Sequence, residues 1–277
     1  MVDFAALKKQ HAARKTTVHK GMSVVLGVRG SGKSSAAAGT WGDKKVLLLQ
    51  FSQESHAVTS ARAVAKNPDN VFAVIIDINE VTGEKRNSAA TLKALEEVLT
   101  DTKELAEFEV IVIDSLSVLD VIIAEHPSVK SATGYDKKRV TDELYDGFVN
   151  LLVMLRDKNT HFIVIMCPTE LRGSQVEGFT ETPTLRGGSA VNNVIGACND
   201  ILFVRQDTAE IKKNNELVDV TVHVFDMGVA SQKTGTKVSK EKYTLPIKAR
   251  VAGVKTNELP ERMKADFTKL LEMKGVK

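Results

Sequence analysis

The sequence predicts an α/β fold: a mostly parallel, twisted sheet flanked by helices, with an antiparallel extension towards the C-terminus. Three observations predict it. Apolar strand-like runs alternate with helical segments up to about residue 205, the pattern of successive βαβ units. Several runs are apolar nearly throughout, such as Val46-Leu47-Leu48-Leu49-Gln50-Phe51, which suits parallel strands covered on both faces. A third run, 22–26, leads into Gly27-Val28-Arg29-Gly30-Ser31-Gly32-Lys33-Ser34, the strand, glycine-rich loop and helix start that cradle a nucleoside triphosphate.

Taken in order, residues 2–15 read as a helix with Phe4, Leu7 and His11 on one face, and 15–21 as a linker. The glycine-rich loop opens a short Ala-rich helix, and Gly42-Asp43 turns the chain into the strand 46–51. Residues 54–66 have helical character until Asn67-Pro68-Asp69-Asn70 breaks it, and 71–78 is a third strand. Asn87 or Ser88 caps a helix to about 105, with Leu92, Leu95 and Val98 near helical spacing. Val110-Ile111-Val112-Ile113 is a fourth strand, ending at Asp114. A helix over 116–125, a polar stretch over 126–136 and a long amphipathic helix over 138–155 follow.

The strand 161–167 precedes a long loop, 168–188; loops of that length in a compact domain are usually functional. Strands at 201–204 and 218–225, a loose turn at 227–237, a strand-like stretch at 243–251 and a closing helix at 259–273 complete the chain. The expected division is an N-terminal helical segment and linker over 1–20, one ATPase-type domain over 21–256, and a C-terminal helix within 257–277 packed on that domain.

Composition narrows the function. At 43% apolar and 26% charged residues, the chain has the balance of a soluble globular protein. A net charge of +3 creates no overall field for nucleic acid, so any such contact must be local. Cys167 and Cys198 are the only cysteines and are expected as reduced, partly buried thiols. They and the scattered histidines give no zinc spacing. The basic N-terminus lacks the apolar core of a signal peptide. The longest apolar zone, 110–124, is interrupted by Asp114 and Asp120, so no membrane span is expected and the expected compartment is the cytoplasm.

The candidate chemistry lies at strand ends. Small residues let the loop wrap a phosphate with its backbone N–H groups pointing inward, so Gly27, Gly30, Ser31, Gly32, Lys33, Ser34 and Ser35 form the expected cradle for ATP. Lys33 would reach the β- and γ-phosphates, and the Ser34 hydroxyl would ligate Mg²⁺. Asp114 ends a buried strand, at the edge where open α/β sheets bind ligands, and can hold Mg²⁺ through a water. Glu54, just past the strand 46–51, could polarise a water in line with the γ-phosphate. Gln53 is the fallback for that role, and the alternative for Glu54 is a first-turn acid facing the helix dipole. No Asn-Lys-x-Asp occurs, so a guanine pocket is unsupported.

This constellation resembles the RecA-like ATPases, which include RecA, DnaB-type helicases and KaiC. They share the phosphate loop, a glutamate after the next strand, and an apolar run ending in Asp-Ser, here Asp114-Ser115. The resemblance implies that 162–167 inserts between 23–27 and 110–113, parallel to both. It also implies that Lys248 and Arg250, in Ile247-Lys248-Ala249-Arg250, reach into a neighbouring subunit's ATP site. The alternative is that they are basic residues blunting an edge strand. The likeness is closest to small phage ATPases of the Sak type, implicated in single-strand annealing and recombination, and covers 20–256, including Pro183-Thr184-Leu185-Arg186-Gly187-Gly188. Those proteins often have Thr-Ala-His where this chain reads Pro168-Thr169-Glu170. Thr169 is therefore assigned as γ-phosphate sensor in place of a histidine.

By the same resemblance the partners are further copies of the chain, single-stranded DNA and a single-strand DNA-binding protein, in a host cytoplasm if the chain is phage-encoded. RecA binds DNA through two loops, which correspond here to about 127–139 and 168–188. The first holds Lys130, Tyr135, Lys137, Lys138 and Arg139; the second holds Arg172 and Arg186, with Phe179 between. The cations could neutralise phosphates and an aromatic ring could stack on a base. From 231 to 255 there are seven basic residues and one acid, a further candidate surface. Other readings are a KaiC-like switch or scaffold acting on proteins, a helicase-like motor, and a small-molecule kinase. A replicative helicase normally carries a separate N-terminal domain, for which about 20 residues before the first strand leave no room.

Overall fold

The computed structural model describes residues 20–158, 160–174, 178–185, 188–213, 216–227, 243–244, 249–255, 258–260 and 262–276. Its elements run β1 (Met22–Gly27), α1 (Lys33–Gly39), β2 (Val46–Gln50), a 3-10 turn (Ser52–Glu54), α2 (Ala57–Arg62), a second 3-10 turn (Pro68–Asn70) and β3 (Val71–Ile75). Then come α3 (Ser88–Thr100), α4 (Thr102–Leu105), β4 (Val110–Asp114), α5 (Leu116–Ala124), α6 (Pro127–Ser131), α7 (Gly134–Lys158) and β5 (Phe162–Ser174). The rest is β6 (Gly178–Pro183), α8 (Gly188–Ala197), β7 (Asp200–Lys213), β8 (Glu216–Asp226), β9 (Tyr243–Thr244), β10 (Arg262–Lys264) and α9 (Phe267–Met273).

Eight strands form the main sheet in the order β10-β8-β7-β1-β5-β4-β2-β3. The six from β7 to β3 are mutually parallel. β8 pairs antiparallel with β7, and β10 with β8, which is the expected antiparallel extension. β5 lies between β1 and β4 and is parallel to both, in the position the resemblance implied for 162–167. Every residue of β1, β2 and β4 is buried, as their continuous apolar runs require. Helices flank the sheet in two packed groups, α1 with α2, and α3, α5, α7 and α8.

The closing helix is docked on the segment that follows α1. Trp41, after α1, stacks on Phe267 of α9 with ring centroids 4.4 Å apart. The Phe267 amide donates to the Thr40 hydroxyl at 2.8 Å, and the Thr268 hydroxyl to the Thr40 carbonyl at 2.8 Å. Both cysteines are free and buried, and burial pushes each thiol up to about 12. Among the described residues no helix is long and apolar enough to cross a membrane.

Several expected elements differ, each for a local reason. The helix expected to about 105 is divided because Asp101 ends α3 and its carboxylate caps α4, accepting the amides of Lys103 and Glu104 at 3.1 Å. Asn87 caps α3 as expected, accepting from Ala90 at 2.9 Å. The third strand ends at Ile75, not 78. The helical stretch over 54–66 reduces to the 3-10 turn Ser52–Glu54 and α2.

The stretch 127–139, expected as a loop, is helical instead. His126 caps α6 with Pro127 at its first position, and α7 begins at Gly134 rather than 138. The loop expected over 168–188 is largely a β-hairpin: β5 runs on through Ser174 and pairs antiparallel with β6, Thr169 opposite Pro183 and Ser174 opposite Gly178. β7 and β8 likewise extend well beyond 201–204 and 218–225.

Of 243–251, the described residues 243–244 form β9, and Arg250 makes an isolated bridge with Ile201. The closing helix starts at Phe267 rather than 259, because Asp266 caps it and 262–264 pair with β8 instead. The helix expected over 2–15 and the turn at 228–237 lie outside the described residues.

Candidate functional site

The parallel register aligns β1 with β5, and β2 with β4, at one edge of the sheet. Gly27 is level with Pro168, and Gln50 with Asp114. The glycine-rich loop leaves β1 at this edge and enters α1. It is too tight for side chains at two points. A Cβ on Gly27 would approach the Ser31 hydroxyl and the Val204 carbonyl to 2.6 Å. Gly32 has φ +90°, left-handed, and a Cβ there would overlap the ring of His223. Ser31 is 2% exposed, and its hydroxyl has no hydrogen-bond partner among the described residues.

Two chemical groups meet at the start of α1. The Ser34 hydroxyl donates to an Asp114 carboxylate oxygen at 3.2 Å across a sequence separation of 80 residues. The Lys33 amine folds across the loop and donates to the Val28 carbonyl at 2.8 Å. Glu54, last residue of the 3-10 turn after β2, is half-buried and close enough to Asp114 to affect its ionisation. The Asp114 carboxyl is raised to about 7, first by burial and then by the Glu54 charge; the Ser34 hydrogen bond and Lys33 act in the opposite direction. A hydroxyl and a carboxylate are hard oxygen donors of the kind that suit Mg²⁺, which takes few protein ligands and keeps several waters.

Glu54 precedes α2 by three positions, so it is not a first-turn acid of that helix. Its turn is held from below. Asp77, 2% exposed, accepts the Ser52 amide and the Ser52 hydroxyl, both at 2.6 Å. An ion pair with Lys85 at 3.7 Å adds to this. From the other side, Gln206 of β7 donates to the Gly30 carbonyl at 2.8 Å, and His223 of β8 packs against Gly32. The sequence reading missed Asp77, Gln206 and His223. Only an Asp just after an apolar strand could have pointed to the first. Nothing local marks the other two, which reach the loop from at least 176 residues away.

The remaining site residues are placed less centrally. Thr169 is buried directly after Pro168, beside the loop. The Ser35 hydroxyl donates to the Ser60 carbonyl at 3.2 Å. A cleft of about 1280 Å³ beside α1 is lined by Ser35, Gly39, His223, Lys264 and Asp266 among others, and by none of Gly27 to Ser34. Arg250 sits beside Ile201, which pairs with Val24, three residues below the loop. Its guanidinium donates to the Cys198 carbonyl of its own chain. Lys248 and Arg186 lie outside the described residues.

The candidate DNA contacts of the first stretch are exposed on helices. Lys130 pairs with Glu125. Arg139 pairs with Glu143 at 2.6 Å and Asp136 at 3.6 Å. Tyr135, Lys137 and Lys138 are exposed. Arg172 is on the extended part of β5, opposite Thr180 of β6.

Fold and site together define an α/β protein with an eight-stranded, mostly parallel sheet and a polar constellation where β1, β2 and β4 end. No family model matches the chain, and no curated protein matches it.

Proposed function

We propose that the chain is a RecA-like ATPase that binds ATP with Mg²⁺, hydrolyses it, and works as a homo-oligomer, ring or filament, on single-stranded DNA in phage-type recombination, annealing or repair. One observation carries this: Lys33 and Ser34 of the glycine-rich loop, Asp114 and Glu54 converge from three segments on one sheet edge, with β5 inserted between the strands that bear two of them.

The loop's backbone amides and Lys33 would bind the β- and γ-phosphates, the amine exchanging the Val28 carbonyl for phosphate oxygens. Ser34 and Asp114 would hold Mg²⁺, which supplies charge neutralisation on those oxygens when bound. Glu54 would take a proton from the water whose oxygen bonds to the γ-phosphorus, while the bond to the bridging oxygen breaks and its electron pair leaves with ADP.

Turnover of ATP with and without single-stranded DNA, alongside molar mass with a non-hydrolysable nucleotide, tests the proposal. Glu54→Gln should keep nucleotide binding and slow hydrolysis by roughly 10²–10⁴, whereas Lys33→Ala should lose binding. A Glu54→Gln protein with the parental rate would return the role to Gln53 or another group.

A KaiC-like scaffold acting on proteins is the second reading, and the pairing of Lys130 and Arg139 with nearby carboxylates of the chain favours it. Phosphate neutralisation would make binding to single strands fall steeply with salt. Absence of binding at low salt would select the scaffold.

A further inference from the structure

β2 is Val46-Leu47-Leu48-Leu49-Gln50, four aliphatic residues and one carboxamide, all buried. Gln50 is 2% exposed, and its Oε1 has no hydrogen-bond partner among the described residues. A buried carbonyl left unpaired is costly, and interiors seldom retain one without a donor that arrives from elsewhere.

The position of Gln50 indicates where that donor would stand. Gln50 is the register partner of Asp114 on the adjacent parallel strand, so the two side chains leave the sheet on the same face, about 4.8 Å apart along the hydrogen-bonding direction. The Asp114 carboxylate on that face meets Ser34 of α1. Gln50 therefore lies on the sheet face from which the carboxylate meets the hydroxyl, the pair that suits a divalent cation, and two residues before the turn that carries Glu54. Two hydroxyl donors at this edge are committed: Ser34 donates to Asp114, and Ser52 to Asp77. Waters on Mg²⁺ are polarised donors, and the ion keeps several of them because it sheds its hydration shell reluctantly. They need acceptors behind them.

We propose that Gln50 is a positioning residue of the site: its side-chain carbonyl accepts a hydrogen bond from a water of the Mg²⁺ that Ser34 and Asp114 hold, and so orients the hydrated ion. This rests on the nucleotide reading above. It also accounts for a polar side chain at the one β2 position level with Asp114. A residue kept for this reason stabilises the loaded protein and destabilises the empty one, a combination that a purely structural glutamine would not show.

The test is thermal unfolding of the whole chain without ligand, and with a non-hydrolysable ATP analogue over a Mg²⁺ titration. Gln50→Met has nearly the same volume but no acceptor. Its ligand-free melting temperature should equal or exceed the parental value. The Mg²⁺ concentration giving half the nucleotide-dependent shift should rise about tenfold, the worth of one such hydrogen bond. Gln50→Glu restores an acceptor and should bring that concentration back to the parental value or below it.

A Gln50→Met protein with a lower ligand-free melting temperature and unchanged Mg²⁺ dependence would overturn the proposal, making Gln50 a structural residue. If Gln50→Met does not fold, a Gln50→Glu protein that needs more Mg²⁺ than the parent has the same force. No nucleotide-dependent shift in the parental protein at any Mg²⁺ concentration would instead remove the nucleotide reading itself, and this inference with it.

Discussion

At the scale of the residue, Asp114 is the most consequential side chain. Its carboxyl is raised from 3.8 to about 7 by burial and by Glu54, so the folded protein holds a proton there that the unfolded chain releases. Stability from this group is fully present below about pH 4 and is lost as pH rises towards 7. Equilibrium denaturation without ligand, at pH 5 and at pH 8, should show the loss, and Asp114→Asn should flatten the difference. Binding of Mg²⁺ requires the carboxylate, so stabilisation by nucleotide with Mg²⁺ should grow over the same interval. A parental protein whose ligand-free stability rises through this interval as much as the Asp114→Asn variant's would exclude a proton held at this site.

At the scale of the element, the turn Ser52–Glu54 is the part most dependent on an outside anchor. Three residues of 3-10 helix between a strand and a short helix have little stability of their own. Asp77 supplies two hydrogen bonds to Ser52 from beyond the end of β3. Removing it in Asp77→Ala should cost about 1–3 kcal/mol of stability, read as a shift in the denaturant midpoint. It should also let Glu54 move by an ångström or so, enough to reduce turnover by up to about 10². Nucleotide affinity should change little, because the glycine-rich loop stands on β1 and α1, not on this turn. A variant that loses affinity and turnover equally would show that Asp77 supports the whole site and not the placement of Glu54.

At the scale of the whole molecule, completeness of the site is at issue. Arg250 lies three residues below its own loop and is bonded to Cys198, so it cannot serve its own site without rearrangement. If Lys248 and Arg250 complete a neighbour's site, turnover per subunit should rise with protein concentration. Arg250→Ala should still bind ATP. Mixed with Lys33→Ala it should recover activity, since each partner lends what the other lacks. Arginine fingers contribute on the order of 10³–10⁵ in rate, so even modest mixing would be measurable. Mixtures without rescue would leave Arg250 as an intrachain contact at the start of β7.

The sequence by itself determined the α/β alternation, the buried strands and the placing of Lys33, Ser34, Glu54 and Asp114 at strand ends. These follow from periodicity and from residue types within a few positions of one another, which are local properties. The tertiary structure decided what those residues meet. Ser34 finds Asp114 across 80 residues, Ser52 finds Asp77 across 25, and Gly30 finds Gln206 across 176. It also decided that 168–174 and 178–183 are strands, since a polar alternating stretch becomes a strand only when another segment satisfies its backbone. Gln50 shows the boundary between the two. Its place at the end of an apolar run is written in the sequence, but only the register with Asp114 puts its side chain, whose carbonyl has no partner among the described residues, on the same face of the sheet as that carboxylate.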